Sequence, residues 1–240
     1  SSTAIGGLST TQIGALSIFQ IANLSTTQVK GLSAAAVSAL SAEQIGVLSF
    51  SQVAALSATQ LGNLSSTQAS LLSPEQLAAL SATQIGGISA TAISGLELED
   101  IVNLTTTQLA ALTSSQIAGL AVTHIPGLST TQIASLSSTQ SQGLSSLQVA
   151  VFSADQIGAL GTTQLSSLGT GAVAGLQTTQ IALLSTTQVS ALTATQFAAL
   201  SVDQTSALSA SQVLSLNATQ LSRLGATSVA ALGSTILGAL

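Results

Sequence analysis

The residues able to do chemistry are few and scattered. The 240-residue chain carries one histidine, seven carboxylates, two bases and no cysteine, against an abundance of serine and threonine. A serine nucleophile needs a base within hydrogen-bond reach and an acid to orient that base. No serine here has such partners at a recognisable spacing. His124 stands in Ala121-Val122-Thr123-His124-Ile125-Pro126, with no Cys, Asp or Glu near it, which argues against a metal ligand or a catalytic base. The densest acidic group is Glu97-Leu98-Glu99-Asp100. It could be a weak cation site, but an acidic first turn that complements a helix dipole is the favoured reading. EF-hand loops, glycine-rich calcium repeats and phosphate-cradling loops are all missing from the sequence. No catalytic, cofactor-binding or metal-binding residue is assigned, no cofactor is expected, and an enzyme is not expected.

What the chain does contain is a period. Leucine stands at every eighth position from Leu8 to Leu240, replaced only by Ile88 and Phe152. A fixed short period over the whole length means one small structural unit, unable to bury an apolar face alone, stacked many times. Octads are numbered here from Ser1–Leu8, with leucine at position 8. Position 1 is Ser, Thr or Asn in 23 of the 30 octads and position 4 is Gln in 22. That spacing is a capping box, in which the hydroxyl accepts from the backbone N–H three residues on and the Gln side chain reaches back. Each octad thus carries its own helix start.

The rare residues agree. Pro74 falls at position 2, the first helical residue after Ser73, where proline is favoured. All seven acids lie in positions 1 to 4, at the positive end of such a helix, and both bases, Lys30 and Arg223, lie in positions 6 and 7. One long helix would move the leucine about 80° around the axis per octad and smear the apolar stripe over every face. A helix of about six or seven residues followed by a turn at the Leu-Ser junction avoids this.

The expected fold is therefore all-α, a solenoid of thirty short capped helices, one per octapeptide, forming a single continuous body over residues 1–240. A β-solenoid is the alternative, since Ile, Val and Thr favour strands; its strict period-2 alternation is missing. Position 5 is apolar in 28 octads and pairs with position 8 as the core. Fifteen of the twenty glycines fall at positions 6 and 7, where they serve either close backbone approach or a left-handed helix end. Ser141 and Thr205 place hydroxyls at position 5 and should bond a preceding carbonyl. Asn217 reads as a helix cap, although it also lies in one of four glycosylation-like tripeptides. Pro126 at position 6 should distort its helix and makes that octad a candidate bend.

Composition sets further bounds. Charged residues are 4%, against about 25% in an average soluble protein. The surface must then be wetted by Ser, Thr and Gln, and resists self-association poorly. The net charge of −5 excludes the basic stripe that nucleic acid requires. No run of apolar residues is long enough for a membrane span. The absence of cysteine and methionine suits an extracellular bacterial protein.

The octads resemble the low-complexity LxxxQ-type repeat tracts of very large bacterial secreted or surface proteins, as in Leu8 to Leu16, Leu104 to Leu112 and Leu184 to Leu192. The resemblance implies an extracellular scaffold or adhesin-like stalk. Leu72-Ser73-Pro74-Glu75-Gln76-Leu77 also looks like the opening helix of a TAL-effector repeat, but that family's period of about 34 residues and its base-reading loop are missing. The first and last octads keep the apolar pattern of the interior, so both ends should show bare core. The functional expectation is a rod or fibre-forming scaffold, on the cell surface or beyond it, that associates with itself head to tail. The alternative is a binding module whose Ser/Thr/Gln face meets a polysaccharide or an ice surface.

Overall fold

The computed structural model describes residues 5–231. Octad 30, Gly233–Leu240, on which the bare-end expectation partly rests, lies outside the described residues. Among the described residues the chain is all-helical, with no strand, and the β-solenoid is excluded. Octads 2 to 29 each contribute one short helix, from Thr10–Gly14 to Ala226–Ala231.

The cap chemistry forms each helix. In octad 2 the Gln12 N–H donates to Ser9 Oγ at 3.2 Å, and the Ser9 N–H donates to Gln12 Oε1 at 2.8 Å. Ser9 itself is extended, with φ −69° and ψ 162°. The same box recurs with Thr105 and Thr113 and, as its position implied, with Asn217, whose Oδ1 accepts from the Gln220 N–H at 2.9 Å. Pro74 opens its helix behind the Ser73 cap.

The helices are four to six residues long, shorter than the sequence suggests. The reason lies at position 8, where the leucine leaves the helix to make the turn. Leu32, for example, is extended at φ −63° and ψ 138° while its N–H still donates to the Val29 carbonyl. No glycine among the described residues has a positive φ, so left-handed helix ends are not used.

By contacts the chain divides into two units, Ser1–Gly127 and Leu128–Leu240. Within each unit every helix packs on the one three octads away. Ala90–Ile93 lies against Ser114–Gly119 in the first unit, and Ser138–Gln142 against Thr162–Ser167 in the second. Three octads therefore make about one coil, and each unit is a solenoid of such coils. Position 5 points to the centre: Ile13, Ile45, Leu61, Val149 and Ile181 are all fully buried. Position 8 fills the space around it, with Leu56 at 2% and Leu192 at 2% exposure. Each such side chain contributes about 1.5–3 kcal/mol of burial, which is what holds helices too short to stand alone.

Glycine permits the coils to touch. A Cβ on Gly95 would fall 2.2 Å from the Ser66 carbonyl oxygen, and one on Gly175 would fall 2.5 Å from that of Ser146. Both pairs are separated by 29 residues, joining position 7 of one helix to position 2 of the helix one coil back. Of the two readings of these glycines, close approach is the one realised.

Octad 16 departs from the pattern. Val122–Gly127 is a 3-10 helix with Pro126 inside it, where the proline ring and missing N–H disfavour a regular α-helix. Ser141 and Thr205 behave as expected of core hydroxyls, donating to the Ser137 carbonyl at 3.0 Å and the Ser201 carbonyl at 2.9 Å.

Candidate functional site

The most organised chemistry in the molecule is a seat between coils, occupied by the position 4 side chain. In octad 7 Gln52 Oε1 accepts from the Ser49 N–H at 2.7 Å, which caps its own helix. Its Nε2 donates to the Leu24 carbonyl at 2.7 Å and the Ile21 carbonyl at 3.2 Å. Those carbonyls close the helix Ile18–Ala22, four octads earlier in the chain. One amide thus satisfies orphan donors at one helix start and orphan acceptors at another helix end. In the second unit Gln204 does the same, with the Ser201 N–H at 2.8 Å and the Leu176 carbonyl at 2.7 Å. Both glutamines are 4% exposed.

The cross-coil half of this arrangement has no counterpart in the reading of the sequence as simple capping boxes. A signal for it was present. Glutamate can cap as well as glutamine, yet position 4 holds no Glu in any octad. An ionised carboxylate accepts but cannot donate, so a glutamate would leave the cross-coil carbonyls without a donor. The same finding removes these buried glutamines from the outer surface.

Two seats hold ionisable groups. Asp100 occupies the seat of octad 13 and is 3% exposed; its Oδ2 accepts from the Glu97 N–H at 2.9 Å. Desolvation, with the neighbouring Glu97 and Glu99 charges, raises its pKa above the ordinary aspartate value, opposed by the Glu97 N–H. His124 occupies the seat of octad 16 and is 4% exposed; its Nδ1 accepts from the Ala121 N–H at 3.2 Å. The Leu96 carbonyl, 28 residues back in the register of the cross-coil glutamines, acts on the ring as well and favours its protonated form. A neutral imidazole offers an acceptor and a donor on opposite sides of the ring, and His124 takes the acceptor role that glutamine plays in the other seats. Desolvation lowers its pKa, while the Leu96 carbonyl and the nearby Glu97 oppose that shift.

The helices that carry these two seats lie in contact. Leu98–Val102 packs against Val122–Gly127, one coil on. A Cβ on Gly127 would fall 2.6 Å from Val102 Cγ1 and 2.7 Å from Leu98 Cδ1. The acidic octad and the histidine octad, 24 residues apart in the sequence, are thus neighbours, and the Glu97 charge acts on the His124 imidazole. Among the described residues no group of three or more His, Cys, Asp or Glu is arranged to hold a metal ion.

The grooves are shallow. The second unit has one of about 400 Å³ lined by Ser146, Leu147, Gln177, Thr178, Ser201 and Asp203. In the first unit Lys30, Phe50, Ala54 and Ala79 line another. Neither brings a nucleophile to a base. Among the described residues no helix is long and apolar enough to cross a membrane.

Capped one-turn helices, a coil of three octads and a recurring amide seat define a short-repeat α-solenoid. Three stretches, residues 20–50, 93–130 and 157–194, match the family model of the ALTTAQ repeat, and the chain is a short-repeat tract similar to that family. No curated protein matches the chain at a significant level.

Proposed function

We propose that the chain is a structural repeat protein, an extracellular rod or fibre-forming scaffold or stalk of a bacterial cell surface, whose copies associate head to tail. The observation that supports this is the seam. Gln44 reaches the Leu16 carbonyl, Gln60 that of Leu32 and Gln212 that of Leu184, always across 28 residues. Such a seam has a direction. One face of any coil offers glutamine amides, and the opposite face offers leucine carbonyls around an apolar centre. Two coils from different chains meet with the same complementarity as two coils of one chain, a heterologous contact that need not close. An adhesin-like placement agrees with a surface made of hydroxyls and carrying few charges. Sedimentation and electron microscopy of the purified chain test the assembly: concentration-dependent linear species support it, and compact monomers at high concentration end it.

One observation favours a second reading, a binding module for a neutral hydroxylated surface such as polysaccharide or ice. In the second unit the stacked helices Ser138–Gln142, Thr162–Ser167, Thr186–Ala191 and Ala210–Leu214 form a column. Their exposed position 3 residues are Thr139, Thr163, Thr187 and Ser211, with no charge among them. Pull-down on insoluble polysaccharides and a thermal hysteresis assay decide this reading independently of the assembly.

A further inference from the structure

The glutamine seat works at any ordinary pH because an amide does not titrate. Two seats are exceptions, and only His124 has an ordinary pKa, about 6.5, in the range where mild acid acts. Its geometry allows one protonation state. Nδ1 must be bare to accept from the Ala121 N–H at 3.2 Å, so the neutral ring carries its proton on the opposite nitrogen. The imidazolium has an N–H on both sides. It sets a donor against the Ala121 donor, so the cap that starts octad 16 is lost.

We propose that the His124 seat is an acid-sensitive joint: protonation of the imidazole removes the acceptor that starts the 3-10 helix Val122–Gly127 and loosens that helix from Leu98–Val102. The segment is already the least regular of its unit, with Pro126 inside it. The octad packed against it, octad 13, carries Glu97, Glu99 and Asp100, of which Glu97 acts on the imidazole, and Glu75 stands one coil further on octad 10, which packs on octad 13. Octads 15 and 17, its neighbours along the chain, contain no ionisable side chain. Glu97 draws the imidazolium in, yet burial outweighs it, and the folded state holds the His124 proton less firmly than the unfolded chain does. The sign follows. The stabilisation is complete above about pH 6.5, and it is lost as pH falls from there through the lowered folded value. Asp100 acts in the opposite sense and lower on the scale, since its folded state holds the proton more firmly.

The test uses the intact chain and its single histidine. Proton NMR of the C2 position should give one titration with a midpoint below about 6.5; a midpoint at or above that value overturns the proposal. Amide hydrogen exchange, corrected for intrinsic rates, is then compared at about one unit above and about two units below that pKa. Peptides covering residues 121–127 should lose protection in acid, by up to about tenfold for each unit of pKa displacement. The variant His124→Gln installs the ordinary seat and should keep its protection across the range, while Asp100→Asn should leave the acid-induced loss in place. Equal loss in the parent chain and in His124→Gln, or loss spread evenly over all octads, overturns the proposal.

Discussion

Gln60 Nε2 lies 2.7 Å from the Leu32 carbonyl oxygen while Gln60 Oε1 lies 2.6 Å from the Ser57 nitrogen, so one buried amide joins the start of its own helix to the end of another. The two halves of that joint can be separated by substitution. Gln60→Glu keeps the acceptor and removes the donor; Gln60→Ala removes both. At neutral pH Gln60→Glu should cost about 2–4 kcal/mol, since it buries a charge facing carbonyl oxygens, and Gln60→Ala about 1–3 kcal/mol. Urea unfolding at two pH values reads the difference. Acid should restore part of the loss in Gln60→Glu only, because a protonated carboxyl regains a donor. Equal costs at both pH values would show that the cross-coil donation contributes nothing.

Glycines at chemically similar positions should respond in opposite ways. Gly95→Ala drives a Cβ into the Ser66 backbone at 2.2 Å, and neither backbone can yield without separating the coils. A loss of about 1–3 kcal/mol is expected, the range of an overpacked contact. Gly158 has nothing within 4 Å of its would-be Cβ and lies inside the helix Ala154–Ala159. Gly158→Ala should stabilise by about 0.5–1 kcal/mol through helix propensity. Thermal melts of the two variants, run side by side, should move in opposite directions.

The contrast also shows what was legible in the sequence. Ser57 and Gln60 announce a helix start because the bond between them spans three residues, and Pro74 and Asn217 confirm it locally. Ile13 and Leu61 could be assigned to the core because positions 5 and 8 share a helix face. The number of octads per coil depends on how helices pack, and nothing within one octad encodes it. Contacts that join residues 25, 28 or 29 apart were therefore invisible, including Gly95 on Ser66 and Gln60 on Leu32. The packing of the Asp100 helix on the His124 helix was hidden for the same reason. Each reads as an oddity of its own octad until the coil brings octads 13 and 16 together.

Asp100 yields a prediction whose sign differs from the usual carboxylate case. Burial and the Glu97 and Glu99 charges raise its pKa, so the folded state binds its proton more firmly than the unfolded chain. Between the ordinary aspartate value and the raised one, stability falls as pH climbs, and the unfavourable charge persists at neutral pH. Asp100→Asn removes the charge and supplies an amide proton at the seat. Its unfolding midpoint should exceed that of the parent chain at neutral pH, and the two should converge in acid. A lower midpoint at neutral pH would mean that the carboxylate is stabilised by partners stronger than the Glu97 N–H.

Exposed apolar side chains separate two modes of self-association. Phe19 is 75% exposed and Phe50 61% exposed, both on outer helix faces and away from the seam. A surface with so few charges offers little repulsion to lateral sticking through such residues. Phe19→Ser with Phe50→Ser should change stability by less than about 0.5 kcal/mol, as surface substitutions do, and should reduce lateral clustering. The proposed head-to-tail growth would use the amide and carbonyl faces of the coils, so linear species should survive in the double variant. Light scattering reports total association and electron microscopy reports its form. Loss of the linear species along with the clusters would assign self-association to the phenylalanine faces and leave the seam as an intramolecular device only.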